Sequence, residues 1–341
     1  MIRPIGGFLP LCVPVAPPRG PSVLAHWTQG AASVWRLHNA RSGLHALWNL
    51  LRPRAVWLPA YVCEEVAKAV PPGIAIRYYA LDDELHPLLD AMSASIEDGD
   101  HVVAMGYFGR PVRADLKALA RSRPHVGWIE DRAQALDAGP PWADWAVYSP
   151  RKLLGVPDGG LLVARHEALP PLSARDAADV SFMHACIARY EDRDEQDNDR
   201  WYAEYRRAES AMSCDRQAMS RLSEAVLAGI DLEDHAQRRR DNYRVLHELL
   251  HDLAFHREPS IDFAPLGMPI RVSSAESLSK RLAERRIFAA RHWRTLPSDP
   301  QQHAHEHGLA GELLTLPCDY RYGEPEMKRI AEAVRECLAA P

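Results

Sequence analysis

The sequence contains none of the cysteine pairs that mark zinc knuckles or disulfide-stapled domains. Its six cysteines are scattered, and no two of them form a C-x-x-C pair: Cys12, Cys63, Cys186, Cys214, Cys318 and Cys337. This usage fits a reducing compartment. No apolar run reaches the roughly 18 residues that a membrane span needs, and proline interrupts the N-terminal segment GGFLPLCVPVAPP too often for a secretory signal. We therefore expect a cytoplasmic protein with no membrane partner.

Neither the net charge nor a sequence repeat indicates a nucleic-acid partner or a repeat architecture. The formal net charge is only -5, so no global field draws the chain to nucleic acid. We find no internal repeat. Of the 341 residues, 47% are hydrophobic and 26% are charged, as in folded globular proteins. The length suits a large domain with a smaller companion, and we expect an arm over residues 1–22, a large domain over 23–240 and a small domain over 241–341.

Short apolar segments alternate with helical patterns in the first half of the chain. Six segments bounded by turn residues are predicted strands: residues 55–58, 74–79, 101–108, 126–130, 145–149 and 160–164. A helix beginning at Ser42 and Gly43 precedes them, and helical patterns follow the first and third. The alternation predicts an α/β fold whose mainly parallel mixed sheet is flanked by helices. A small α+β domain is predicted at the C-terminus.

Polar residues follow two neighbouring predicted strands. Asp131 comes directly after VGWIE, and the segment WAVYS ends at Ser149, three residues before Lys152. If the two strands are parallel neighbours, both ends lie at the same edge of the sheet, where such sheets bind ligands. A carboxylate and an amine there suit pyridoxal phosphate, whose ring nitrogen needs an anion and whose aldehyde needs a lysine. Ser149 and the helix start at Arg41 and Ser42 are candidates to hold its phosphate. Taken singly, such an aspartate is more often a turn residue and such a lysine is usually exposed.

The same block resembles the DegT/DnrJ/EryC1/StrS aminotransferases. WIEDRAQALDAG followed by WAVYSPRKLLGVPDGGLLVA is similar to the E-D-x-A-Q-A, S-x-K and acidic-G-G segments of that family. LPAYVCEEVAKAV, GYFGRPV, SGLHALWNLL and the C-terminal LTLPCDYRYGEPEMKRIAEAV are less specific matches. The resemblance thus spans almost the whole chain. It implies fold type I of the pyridoxal-phosphate transferases, and a homodimer, because the sites of the family lie between subunits.

The resemblance implies a role for each residue of the specific block. Lys152 corresponds to the lysine that forms the Schiff base, and Asp131 to the partner of the ring nitrogen. Gln134 corresponds to a residue near the ring oxygen or the substrate, and Ser149 to a phosphate ligand. Three residues separate Ser149 from Lys152 where the family usually has five, so the turn between them must be shorter.

Other cofactor positions depart further from the family. Arg41 and Ser42 match its pair of phosphate-binding positions, although Arg41 stands where threonine or serine is usual. In the family an aromatic residue stacks on the cofactor ring, and in the most direct register Cys63 occupies that position here. Tyr61, on the same face of an extended segment, is the better physical candidate. The G-Y-N-x-R segment that reaches the partner's cofactor is absent, and AMSCDRQAMSRLS stands in its place.

The function that the resemblance implies is that of a pyridoxal-phosphate-dependent aminotransferase. An amino acid, glutamate by implication, would give its amino group to a keto substrate of the nucleotide-linked sugar class. Two alternatives stay open. One is a dehydratase on a related sugar, although such relatives typically replace the lysine with histidine. The other is a non-catalytic or regulatory protein of the same fold, suggested by the missing segment.

Two further segments carry conspicuous side chains. HAHEH, residues 303–307, has three alternating histidines, but its surroundings predict an exposed loop, and we expect no metal site. RRIFAARHWR, residues 285–294, contains four arginines that could hold a diphosphate. A solvated basic helix is the simpler interpretation.

Overall fold

The computed structural model describes residues 3–137, 139–172, 183–192, 198–258 and 261–339. Its strands are β1 (Ile5–Gly6), β2 (Ser33–Leu37), β3 (Ala55–Pro59), β4 (Ala75–Tyr79), β5 (His101–Met105), β6 (Gly127–Asp131), β7 (Trp145–Tyr148), β8 (Gly160–Ala164), β9 (Met268–Arg271), β10 (Ile287–Phe288) and β11 (Leu313–Leu316). Its helices are α1 (Val23–Thr28), α2 (Ala40–Leu51), α3 (Glu64–Lys68), α4 (Leu89–Ser95), α5 (Ala114–Ser122), α6 (Met183–Glu191), α7 (Asn198–Ala211), α8 (Arg221–Gly229), α9 (Leu232–Leu250), α10 (Ala275–Glu284), α11 (Ala304–Glu312) and α12 (Glu324–Ala339). Short 3-10 turns cover Tyr107–Gly109 and Pro150–Lys152.

A seven-stranded sheet in the order β2-β8-β7-β6-β5-β3-β4 forms the centre of the molecule. The pairs β3/β4, β3/β5, β5/β6 and β6/β7 are parallel, whereas β8 runs antiparallel to β7 and β2. This arrangement confirms the predicted mainly parallel mixed sheet. The sequence analysis missed β2, the edge strand SVWRL, because Ser33 and Arg36 interrupt its apolar character.

Helix α2 packs its apolar face on the sheet. Leu44, Leu47 and Trp48 are buried, and Gly43 approaches β8 so closely that an added Cβ would lie 3.1 Å from Leu162 Cβ. The helix begins at Ala40, two residues before the predicted start. The reason is a local cap: the side chain of Asn39 accepts a hydrogen bond from the Ser42 amide at 2.9 Å.

The C-terminal part of the chain builds its own apolar core. Strands β9 and β11 pair antiparallel, and helices α9, α10 and α12 contribute buried side chains around them. Ile5 from the N-terminal segment joins this core, because β1 pairs parallel with β10. Farther along, the Cys12 amide donates to the Gly155 carbonyl at 2.7 Å. The N-terminal segment therefore connects the C-terminal core with the loop that follows Lys152.

Two sequence interpretations are wrong in this region. HAHEH is not an exposed loop but the start of α11, where the buried Glu306 accepts a hydrogen bond from the Leu81 amide at 2.7 Å. RRIFAARHWR is not a helix. Arg286 adopts a left-handed φ of 59° just after α10, and the chain continues into β10 and an irregular segment. Pairing with β1, which is distant in sequence, decides the conformation there.

Candidate active site at the carboxyl edge of the sheet

Asp131 and Lys152 line one cavity. Strand β6 ends at Asp131, and β7 ends at Tyr148, next to Ser149 and the turn that carries Lys152. Because β6 and β7 are parallel and Asp131 pairs in register with Val147, the two strand ends lie at the same sheet edge. Asp131, Ser149 and Lys152 line a cavity of about 140 Å³, which we call the inner cavity.

The carboxylate of Asp131 is buried with little compensation. It is 3% exposed, and from the described part of the chain it accepts one hydrogen bond, from the Ala133 amide at 2.8 Å. Burial raises its pKa, and the positive charge of Lys152 opposes this effect. Its neighbours Glu130 and Arg132 alternate to the opposite face and pair with each other at 2.8 Å. A cationic group in the inner cavity would act as a counter-ion for the buried Asp131 carboxylate.

Two arginines complete the wall of the inner cavity. Arg41, near the start of α2, forms an ion pair with Glu65, and Arg151 forms one with Glu209 of α7. Each arginine side chain is 15% exposed. Arg151 Nε is buried and has no hydrogen-bond partner among the described residues. The cavity therefore combines a buried carboxylate, a lysine and guanidinium groups with donor capacity left.

The remaining predicted site residues lie outside the inner cavity. Ser42 gives its amide to Asn39, and its hydroxyl donates to the Ser213 carbonyl at 3.4 Å. It lines a separate cavity beside α2. Gln134 is buried, and its Oε1 accepts a hydrogen bond from the Phe108 amide at 2.7 Å. Its predicted contact with ring or substrate has no support in this position.

Cys63 rather than Tyr61 faces the inner cavity. Tyr61 is fully buried, packs on Tyr107 and Trp293, and donates its hydroxyl to the carbonyl of His292. Cys63 lines the cavity directly before α3. The sequence argument placed both on one face of an extended segment and preferred Tyr61, but the chain turns into a helix immediately after Cys63. The stacking role of Tyr61 stays a prediction that its position does not favour.

Lys152 also lines a larger cavity of about 520 Å³, which we call the outer cavity. Arg151 and Glu209 line both cavities. Residues 6–9 and the segment after β10 form much of the outer wall, including Arg291, His292 and Arg294. Lys152 thus lies where a group in the inner cavity and a molecule in the outer cavity would meet.

His292 is a site residue that the sequence analysis missed. Its Nδ1 lies 2.9 Å from Thr315 Oγ1. Burial, together with the charge of Lys152, lowers its pKa to about 4, so the ring is neutral near pH 7. The sequence carried no local signal against the assumed helix, because the first prolines, Pro297 and Pro300, lie beyond its end at residue 294. Glu209 gave no signal either, because it belongs to a long polar stretch far from the motif block.

The segment that replaces G-Y-N-x-R packs on its own chain. The Ser213 carbonyl accepts a hydrogen bond from Asn39 Nδ2 at 3.0 Å, and Asp215 lies 3.1 Å from His38 Nδ1. Ser220 caps α8 and donates its hydroxyl to the buried Asp158 at 2.6 Å. These contacts fix the segment against the start of α2.

No protein-family model and no curated protein matches the sequence. Solved structures do match along almost the full length. The aminotransferase TlmJ from Streptoalloteichus hindustanus is 18% identical, with a TM-score of 0.64 over 98% of this chain and 99% of its own. A DegT DnrJ EryC1 StrS aminotransferase from Brucella abortus is 16% identical, with a TM-score of 0.65 over 95% and 92%. The PLP-form of a putative sugar aminotransferase, Spr1654 from Streptococcus pneumoniae, is 15% identical, with a TM-score of 0.66 over 98% of both chains.

The chain has the fold of these aminotransferases. This confirms the predicted fold type I. The chemical groups that line the inner cavity fit pyridoxal phosphate. Asp131 offers a buried carboxylate to a ring cation, and Lys152 offers an amine to an aldehyde. Arg151 Nε, which has no partner among the residues that the structure describes, offers a hydrogen-bond donor to an anion.

Proposed function

We propose that the protein is a pyridoxal-phosphate-dependent aminotransferase, which moves an amino group from an amino acid, glutamate in our proposal, to a keto substrate. The observation that carries the proposal is the shared inner cavity of Asp131 and Lys152 in a chain of this fold. Two observations support pyridoxal phosphate as the cofactor: the carboxylate, amine and guanidinium groups of the inner cavity, and the PLP-form of a structural neighbour.

Five residues of the inner cavity have a defined task in this proposal: Asp131, Lys152, Ser149, Arg41 and Arg151. Pyridoxal phosphate supplies an aldehyde that takes up the amino group and a ring that withdraws electrons. Asp131 holds the ring nitrogen in its protonated state, because an anion stabilises a neighbouring cation. Lys152 Nζ would hold the cofactor at its aldehyde carbon, and as a free amine it would take up and return the α-proton of the amino donor. Ser149 and the arginines hold the phosphate.

The outer cavity suits an anionic keto substrate. Arg291 and Arg294 line it, and Arg291 Nε is buried without a hydrogen-bond partner among the described residues. His292 is neutral and adds no charge. Several structural neighbours are described as sugar aminotransferases. We propose a nucleotide-linked keto sugar as the substrate, with its phosphates held by these arginines.

Two further properties belong to the proposal. We propose a homodimer, on the family resemblance of the motif block. We also propose a cytoplasmic location, because all six cysteines lie in the described part of the chain and none forms a disulfide there. Separately, no helix in the described ranges is long and apolar enough to cross a membrane.

A spectroscopic titration tests the function. The purified protein is mixed with pyridoxal phosphate, and glutamate is then added while the visible absorbance is followed. We expect a band that signals lysine-bound cofactor and its loss when the donor is added. The Lys152→Ala variant should show no such band. A band that no amino donor changes would favour the non-catalytic alternative, and an unchanged spectrum in Lys152→Ala would refute the assignment of the lysine.

A further inference from the structure

The inner cavity contains two arginine–glutamate pairs, and the proposed aminotransferase chemistry gives a task to the arginines but none to the glutamates. Arg41 pairs with Glu65, and Arg151 pairs with Glu209. All four residues line the cavity together with Lys152. The pairs come from α2, α3, α7 and the turn after β7, so they converge on the cavity from separate elements.

The arginines and the glutamates differ in exposure. Both arginine side chains are 15% exposed, whereas the side chains of Glu65 and Glu209 are 39% and 34% exposed. A glutamate at the rim can turn into water at little cost. A guanidinium with only 15% of its side chain exposed has less access to water, and without a counter-ion it would carry a desolvation penalty. The glutamates therefore neutralise arginines that have to stay in the cavity wall.

Arg151 retains donor capacity. Glu209 contacts its Nη1, and its Nε is buried with no partner in the described part of the chain. A guanidinium presents its donors as a rigid fork that matches phosphate oxygens two at a time. Arg41, the second residue of α2, is adjacent to a helix start that also favours an anion.

We propose that Arg41 and Arg151 form a phosphate clamp for the cofactor, and that Glu65 and Glu209 are exchangeable counter-ions that occupy the clamp when phosphate is absent. The inference rests on the proposed function, since it assumes that pyridoxal phosphate enters the inner cavity. A phosphate ester carries about -1.5 to -2 charges near pH 7. It neutralises two guanidinium groups by itself, and each glutamate then repels it.

Removal of the glutamate charges should consequently tighten phosphate binding. In Glu209→Gln, and separately in Glu65→Gln, we expect affinity for pyridoxal phosphate to rise by about 1.5-fold to fivefold, the range of a partly exposed charge pair. In Arg151→Gln, we expect affinity to fall by about tenfold or more, as for the loss of a charge-assisted hydrogen bond. Pyridoxal, which lacks the phosphate, should bind all these variants as it binds the wild type.

The experiment measures dissociation constants for pyridoxal phosphate and pyridoxal by absorbance titration of the full chain. Glu224→Gln is the matched control, because Glu224 pairs with Arg36 at similar exposure but lines neither cavity. Thermal unfolding with and without pyridoxal phosphate is a second readout, which stays informative if Arg151→Gln folds poorly. Glu209→Gln should gain more stabilisation from the cofactor than the wild type does.

The outcomes separate the two proposals. Tighter binding of pyridoxal phosphate in the glutamine variants, with pyridoxal unchanged, supports the exchange of counter-ions. If both ligands bind the wild type and the ratio of their affinities stays the same in every variant, the clamp is wrong and the cofactor assignment stands. If neither ligand binds the wild type, the proposed function fails, and the clamp fails with it.

Discussion

Replacement of Asp131 by asparagine should stabilise the cofactor-free protein. Burial raises the pKa of this carboxyl above its unfolded value. The ionised form is therefore less favourable in the fold, and the penalty grows as the pH rises through the two pKa values and persists above them. Asparagine removes the charge and keeps an oxygen for the Ala133 amide, which now donates at 2.8 Å. We expect the free energy of unfolding at pH 7 to rise.

The same substitution should weaken cofactor binding. A hydrogen bond to a charged partner contributes about 1.5–3 kcal/mol, and 1.36 kcal/mol corresponds to a tenfold change in affinity. Loss of the charge of Asp131 should thus raise the dissociation constant for pyridoxal phosphate by about 10-fold to 150-fold. Absorbance titration measures the affinity, and urea unfolding of the cofactor-free protein measures the stability.

Asp137→Asn is the control with the opposite sign. Asp137 lies 3.4 Å from His26, and the hydrogen bond to that residue lowers its pKa. Its charge therefore favours the fold at neutral pH, and asparagine there should decrease stability without changing cofactor affinity. If Asp131→Asn bound pyridoxal phosphate as tightly as the wild type, Asp131 would not be the ring partner. If it lowered the stability of the cofactor-free protein, the argument from burial would be wrong.

Two other predictions concern the scaffold. In Gly155→Ala, the new methyl group would overlap the Pro10 carbonyl oxygen. We expect a loss of about 1–3 kcal/mol, as in overpacked cores, visible as a lower melting temperature, and an unchanged melting temperature would contradict the packing of this loop. His101 is buried, and burial lowers its pKa to about 4. Between about pH 6.5 and 4 only the unfolded chain takes up its proton, so stability falls as the pH falls, by at most about 1.36 kcal/mol per pH unit from this residue. Urea unfolding across that range should show that the stability of His101→Phe depends less steeply on pH than the stability of the wild type. An equal pH dependence would show that His101 does not titrate as described.

The edge of the sheet that carries the site could be predicted from the sequence. Strands β6 and β7 are short apolar segments, and the polar residue that ends each of them marks the carboxyl edge. Because consecutive parallel strands lie side by side, Asp131 and Lys152 were expected to share a cavity, and they line the same one. Their chemical roles stay predictions until a cofactor is bound.

The rest of the site depends on contacts between distant parts of the chain. Glu209 reaches Arg151 from a helix 58 residues away, and Tyr61 reaches the carbonyl of His292 across 231 residues. The local pattern of hydrophobic residues does not predict contacts between residues so far apart in the sequence. Cys63 was set aside because an extended segment was assumed where the chain turns into α3. The segment that contains His292 was taken for a solvated helix because of its arginines. The pairing of β10 with β1, which decides its conformation, could not be predicted from the local sequence.

The most direct test of the cofactor site is to identify the lysine that pyridoxal phosphate modifies. The chain has five lysines: Lys68, Lys117, Lys152, Lys280 and Lys328. Lys68, Lys280 and Lys328 form ion pairs with glutamates at helix surfaces. Borohydride reduction of the cofactor-loaded protein, followed by peptide mass mapping, should place the pyridoxyl group on Lys152 alone at one equivalent. Modification of another lysine, or a spread over several of them, would contradict the site at the end of β7.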